Sequence, residues 1–499
     1  MKKISIKLTL IVLAIVVLAI VFRPFVHPLL MSFVVSPLKA ILLIFVIVGI
    51  FLIAKTIGPL KTVQISPSNY TFKTTQKVHW GIVAGYFVLI IAIMIGLFLE
   101  SEIRLLLTAK SVDFDKITAL PAFEPLRLTP KPVAKRYADD SFQNSQEYLG
   151  DSQIILDNGK LERVFPRLPD GTILYFMKKL SGFVTVEVDT LDRKVSISNQ
   201  EFKYAEHIGI FDNIYYQLNL KKYFVNYSSE PIYLKDDAGR WVTVVPYMKY
   251  RGFPFTVPYW AGVMVVQSDG TMTDYTPEQA AQISCLKGNR LQPKEIVNYY
   301  TQSYSYKDGL INKWFVHKDQ IEVVNLPSDE QIIHVPTADG FKQMVVAEPY
   351  GRSYGIYKIF LYDATTGKRE VMDFDQNSQL TGPVSAADYI KKEYPSYSWD
   401  TFGLSEPRPL TINGDLYWML SVIPNDNAGI AKTVVLNTKT NKVTGFDNIG
   451  QINAFIATGV ASATTTTVDA TSVDAKTEIQ NKIDTIQTEL NDLKALINK

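Results

Sequence analysis

The sequence predicts a membrane-anchored α+β protein: three transmembrane helices, an extracytoplasmic body of repeated units in which a helix precedes an antiparallel three-stranded meander, and a C-terminal coiled coil. Three observations predict it. Apolar runs of near-spanning length fill the first hundred residues, a two-residue periodicity with recurring polar turns sets in near residue 150, and a heptad pattern closes the chain.

The apolar runs are "IKLTLIVLAIVVLAIVF" (6–22), "LKAILLIFVIVGIFLIA" (38–54) and "WGIVAGYFVLIIAIMIGLFL" (80–99). Each has about the length a helix needs to cross a hydrocarbon core of about 30 Å. No small-x-small cleavage site follows the first run, so it is expected to be retained rather than removed as a signal peptide. Residues 1–99 hold nine Lys or Arg and no acid, Glu100 being the first. Lys2, Lys3 and Lys7 precede the first run and Lys55, Lys61, Lys73 and Lys77 fall between the second and third, whereas the hairpin "RPFVHPLLMS" offers only Arg23. This asymmetry places the N-terminus in the cytoplasm, the chain as an integral protein of the cytoplasmic membrane, and residues 100–499 outside. Lys39 is read as snorkelling to the interface.

The rest of the chain carries 42 basic and 49 acidic side chains, which excludes a basic nucleic-acid-binding body. A single cysteine, Cys285, forms no intramolecular disulfide, so core burial must hold the fold. Residues 1–110 are taken as the membrane region, and 111–149, with the proline-punctuated "LPAFEPLRLTPKPVAKRY", as an extended connector. Residues 150–335 and 336–457 are taken as two α+β regions, 458–475 as a Thr/Ala-rich tether and 476–499 as the coiled coil.

Four stretches share one cadence of strands and polar turns: 172–198, 241–275, 341–374 and 415–446. Their turns, "VDTLDRKV", "QSDGTM", "YDATTGKREV" and "LNTKTNKV", supply the Asp, Asn, Ser or Gly that a hairpin needs for side-chain-to-backbone bonds or positive φ. Between them, 211–227, 292–315 and 384–395 are helical in pattern.

The stretch "LYDATTGKREVMDF", with a helix ahead of the next unit, resembles the small PepSY-type modules of secreted and membrane-anchored bacterial proteins, over about residues 340–446. That resemblance implies a role in restraining an extracytoplasmic peptidase or signalling protein. No functional residue carries over from it.

The sequence offers no catalytic, cofactor or metal motif. His27, His79, His207, His317 and His334 stand apart from one another and from Cys285, and "DFDQNSQ" (373–379) starts like a calcium loop but lacks its glycine and its bidentate acid. The candidate contact residues are aromatic and guanidinium groups in "PYMKYRGFPFTVPYW" and "PYGRSY": Tyr247, Arg251, Trp260, Tyr350 and Arg352, which suit sugar rings, peptides or phosphates. The expected function is a non-enzymatic binding or assembly protein engaging a partner protein or an envelope polymer. A PepSY-like regulator and an enzyme with a dispersed site are the alternatives. Ile479, Ile483, Ile486, Leu490, Leu493 and Ile497 alternate spacings of 4 and 3, the seam of a homo-oligomeric coil.

Overall fold

The computed structural model describes residues 22–57, 80–326, 331–351, 355–374 and 380–459. The run at 6–22 lies outside them except for Phe22, as do His79, Arg352, most of the "DFDQNSQ" loop and the heptad positions from Ile479 to Ile497.

The described part begins with four helices: α1 (Arg23–Val35), α2 (Pro37–Ile57), α3 (Trp80–Phe98) and α4 (Glu100–Ser111). No single helix among the described residues is long and apolar enough to cross a membrane, which overturns the expected three-helix anchor and the fold class built on it. The apolar stretches instead form bent pairs: Arg23–Val35 meets Pro37–Phe51 at 97°, and Ala84–Phe98 meets Glu100–Ser111 at 58°. Only the paired segments reach spanning length and composition. The first break has a local cause. Pro37 has no N–H to continue the ladder, and Ser36 leaves helical geometry at φ −131°. The 13 residues of α1 extend only about 20 Å.

Residues 23–32, expected as a hairpin, instead lie in the helix α1, which docks on the body. His27 Nε2 lies 3.0 Å from the Val225 carbonyl, the Tyr223 hydroxyl donates to the Arg23 carbonyl at 2.7 Å, and the Arg23 guanidinium covers the Tyr223 ring at 4.2 Å. Ser36 Oγ donates to Glu100 Oε2 at 2.5 Å, tying the two bends together.

Residues 111–149 do not stand off as a spacer. β1 (Asp115–Lys116) joins a body sheet as a parallel edge, Leu120 and Phe123 are buried in the core, and α5 (Lys131–Ser141) buries Val133, Ala134 and Ala138. The described residues up to Asp447 form one compact unit, and those from Asn448 to Gly459 belong to a second.

Among the described residues four sheets of five or six strands, antiparallel apart from the β1 edge, make the body, and all follow one plan: a long strand pairs along its first half with a short strand just before it and along its second half with a still earlier one, and two further strands follow. In the first sheet the long strand β4 (Lys160–Pro169) pairs with β2 (Glu147–Leu149) and β3 (Gln153–Asp157). After the helix α6 (Thr172–Met177) come β5 (Leu180–Glu187) and β6 (Val195–Phe202). After α7 (Ile214–Lys221), the second sheet sets β7 (Asn226–Tyr227) and β8 (Ile232–Lys235) against β9 (Trp241–Arg251), then β10 (Val257–Val266) and β11 (Met272–Tyr275). After α8 (Lys294–Tyr304), the third sets β12 (Ile321–Val323) and β13 (Ile332–Thr337) against β14 (Gly340–Pro349). A two-residue strand β15 (Gly355–Ile356) then precedes β16 (Lys358–Asp363) and β17 (Arg369–Asp373), and β15 pairs with β18 (Leu380–Thr381). After α9 (Pro383–Glu393), the fourth sets β19 (Phe402–Leu404) and β20 (Arg408–Ile412) against β21 (Asp415–Pro424), then β22 (Lys432–Asn437) and β23 (Val443–Phe446).

The first stretch of the sequence reading is shifted. Residues 172–177 are helical rather than a strand, because Gly171 at φ +101° ends the preceding strand and Ile173, Phe176 and Met177 recur at helical spacing. Apolar faces of the first and second sheets meet through Val164, Phe183, Val244 and Val263, and those of the third and fourth through Met344, Ile359, Trp418 and Val434.

Candidate functional site

A cavity of about 1000 Å³ opens where elements from all four units converge. Sequence-distant cations line it: Arg127, Lys131, Arg163, Arg290, Lys294 and Lys391. Asp151, Glu206, Glu230 and Glu406 supply fewer acids, and two of those are already engaged. Glu230 is ion-paired with Lys294. Glu406 lies 3.6 Å from Arg127 Nη2 and accepts the Lys131 backbone N–H at 2.9 Å. Burial pushes the Glu406 carboxyl up, but Arg127 and Arg408 more than offset it and hold it below the usual range.

Local backbone chemistry adds positive potential. Helices α5, α8 and α9 begin at this cavity, where Lys131, Lys294 and Pro383 line its wall. Their N-caps are Pro130, Pro293 and Gly382, and none makes a side-chain capping bond. Such helix starts present first-turn N–H groups and the positive end of the helix dipole to whatever lies in front of them. At α5 the protein's own Glu406 carboxylate takes that place.

His334, in β13, sits among the arginines. Arg290 Nη1 lies 3.2 Å from its Nε2, so the neutral ring accepts there. Burial first, then the charges of Arg290, Arg127 and Arg163, push its pKa well below the ordinary histidine value. Gln153, almost fully buried, leaves Oε1 without a hydrogen-bond partner among the described residues, and so does Arg127 at Nε. On the other wall, burial raises the Glu206 carboxyl, and neighbouring Asp151 and Glu230 add to the shift. The bond from the Tyr233 hydroxyl, 3.0 Å to Oε1, opposes it.

The residues singled out from sequence lie elsewhere. Tyr247 is buried in β9, its hydroxyl bonded to Asp274 Oδ1 at 2.7 Å and contacted by Lys222 at 2.6 Å. Trp260 is half-buried in β10, with Nε1 donating to the Gly262 carbonyl at 3.0 Å. Arg251 is exposed near the Tyr259 ring, and Tyr350 is exposed on another sheet, stacked on His317 at 4.3 Å. Arg352 lies outside the described residues. The cavity residues carry no shared motif. Three prolines or glycines placed directly before helices were the only local signal of it.

No family model matches the chain, and no curated protein does. Among solved structures, an exo-1,5-α-L-arabinanase from a bovine ruminal metagenomic library aligns at 12% identity over 64% of this chain and 84% of its own, with a TM-score of 0.18. A glycoside hydrolase described as putative from Parabacteroides distasonis aligns at 11% identity over 67% and 83%, with a TM-score of 0.18. The Cellvibrio cellulosa α-L-arabinanase aligns at 12% over 67% and 86%, with a TM-score of 0.17. Superpositions this loose establish no common fold, and the chain is assigned to no family.

Proposed function

We propose that this chain is a binding protein that takes an anionic ligand, a carboxylate- or phosphate-bearing segment of a polymer or peptide, in the cavity between its four units. The observation that carries the proposal is the convergence of Arg127, Arg163 and Arg290 on one neutral histidine, with two of the four lining acids already paired. Guanidinium groups held on rigid sheets favour bidentate recognition of carboxylate or phosphate, and clustered cations of this kind are stabilised when an anion joins them. An extracytoplasmic setting belongs to the same proposal and sets the cavity among the acidic polymers of an envelope. The regulatory reading is its peptide form, an acidic segment of a partner protein seated among the arginines. Self-association through the heptads of 476–499 is likewise proposed, and sedimentation of the chain with Ile486→Asp and Leu490→Asp tests it, since a species of unchanged size would reject it.

Calorimetric titration of the full chain with inorganic phosphate, poly-glutamate and a neutral glucan tests the central proposal. An anionic probe should bind with an affinity that falls as salt rises, the neutral glucan should not, and Arg163→Gln should weaken the anion at least about tenfold, the loss of one charge-assisted contact. Absence of salt-dependent binding by either anion rejects it.

A second reading rests on Glu206. A buried carboxyl whose pKa is raised first by burial and then by neighbouring acids is a group suited to general-acid chemistry. That reading requires turnover of a bound polymer, abolished by Glu206→Gln while binding persists.

A further inference from the structure

Three groups of exposed apolar side chains lie beside the places where α1 and α4 meet the body. The first runs from Phe25 of α1 through Tyr216 to Phe211, with ring centroids 6.0 and 5.4 Å apart. It continues to Phe176 of α6, because the Gly209 N–H donates to the Tyr175 carbonyl at 2.7 Å and the Tyr175 and Phe176 rings are 4.9 Å apart. The second holds Phe224, beside the Tyr223 that binds Arg23, and Phe253, three residues before the Thr256 whose hydroxyl donates to the Val35 carbonyl at the end of α1. The third is the turn Asn312–Val316, where Lys313 approaches the Tyr306 ring at 5.7 Å and Tyr306 is hydrogen-bonded to Glu102 of α4. Phe315 is 76% exposed, Phe253 75% and Phe224 63%.

We propose that this apolar surface beside α1 and α4 docks on a lipid bilayer surface, with Phe176, Phe211, Phe224, Phe253, Trp314 and Phe315 as its interfacial belt. Contact with the bilayer face is what the belt does. Three independent features select lipid over another occupant. α2 and α3, which pack on each other and on α1 and α4, expose Ile44, Ile47, Ile50, Val88, Ile91 and Ile95, and a helix apolar on all sides requires an apolar medium rather than one partner groove. The ring side chains are of the type that concentrates at the boundary between hydrocarbon and headgroups. Finally, each cluster has a cation next to it in sequence, in "FMKK", "KKYF", "RGF" and "NKWF", and no acid occurs before Glu100, which complements anionic headgroups. The belt shares no residue with the cavity, so this proposal stands apart from the anion-binding one.

The test uses the full chain with Cys285→Ser and a single nitroxide placed at 176, 224 or 315, or at the exposed turn positions 192 and 426. The probe is a vesicle of phosphatidylcholine with phosphatidylglycerol. On addition of vesicles, labels at 176, 224 and 315 should gain collision with oxygen and lose collision with a water-soluble nickel chelate, while 192 and 426 stay unchanged. Equal chelate access at all five positions overturns the proposal. Spin–spin broadening at 224 or 315 before vesicles are added overturns it in favour of a second copy of the chain.

Discussion

His334 faces Gln343 across the β13–β14 pair, and its Nε2 is 3.2 Å from Arg290 Nη1. Burial and three arginines hold its pKa far below the value of about 6.5 that the unfolded chain would show. The sign of the effect on stability follows. Because the folded pKa is depressed, the unfolded state binds the extra proton as the pH drops, so this contribution is whole above about pH 6.5 and is lost progressively below it. Urea midpoints measured from neutral to mildly acidic pH should fall, and His334→Gln should flatten that fall; an unchanged slope would show the imidazole to be ordinary. If an anion enters the cavity it offsets the arginine charges, so the His334 ring signals in NMR should shift when phosphate is added. None of this was legible locally, since "IIHVPT" reads as a strand with one polar residue, and Arg127, Arg163 and Arg290 are brought to it only by the packing of separate sheets.

Elements were more legible where turn chemistry was local. β9–β10–β11, β14–β16–β17 and β21–β22–β23 lie at the stretches starting at 241, 341 and 415, because alternation and the polar turns are carried by neighbouring residues. The hairpins before the first and fourth long strands are also written in sequence: Asn158-Gly159 and Asn413-Gly414 occupy positive φ, as a tight two-residue turn demands. What local pattern could not supply is α6, whose apolar residues resemble a strand until Gly171 is known to break it, and the bend at Leu99, beyond which α4 packs on α8 and β10. Two glycines separate turn strain from packing. Gly159→Ala meets no atom within 4 Å and should cost about 1 kcal/mol for its positive φ alone. Gly340→Ala combines φ +117° with a Cβ 2.3 Å from the Gly288 Cα, a backbone contact that cannot move aside cheaply. It should cost about 1–3 kcal/mol more. Chemical denaturation of the two variants side by side checks the order, and equal losses would mean the close approach of the 288 loop does not constrain the third sheet.

At the scale of the molecule, four sheets of one plan surround a cavity, and the contact that closes the first unit on the fourth is polar. Arg408 of β20 is buried; its Nη1 donates to the Arg127 carbonyl at 3.0 Å and to the Leu128 carbonyl, and its Nη2 donates to Ser421 Oγ at 2.5 Å. Leu128 in turn donates its N–H to the Val188 carbonyl at 2.7 Å, so the segment before α5 is clamped between the two units. Glu406, two residues from Arg408, reaches the start of α5 from the same strand connection. Closure and ligand cavity thus share a seam, and loosening the one should spoil the other. Arg408→Met keeps the aliphatic volume but strands two buried carbonyls, which should cost about 1–3 kcal/mol for each. It should also weaken anion binding, although Arg408 does not line the cavity. The exposed pair Lys439–Asp415, on the same sheet, provides the contrast, because Lys439→Met should change stability by less than about 1 kcal/mol and leave binding intact. An Arg408→Met protein that melts and binds like the original would separate the cavity from the seam, and the anion site would then belong to the first and third units alone.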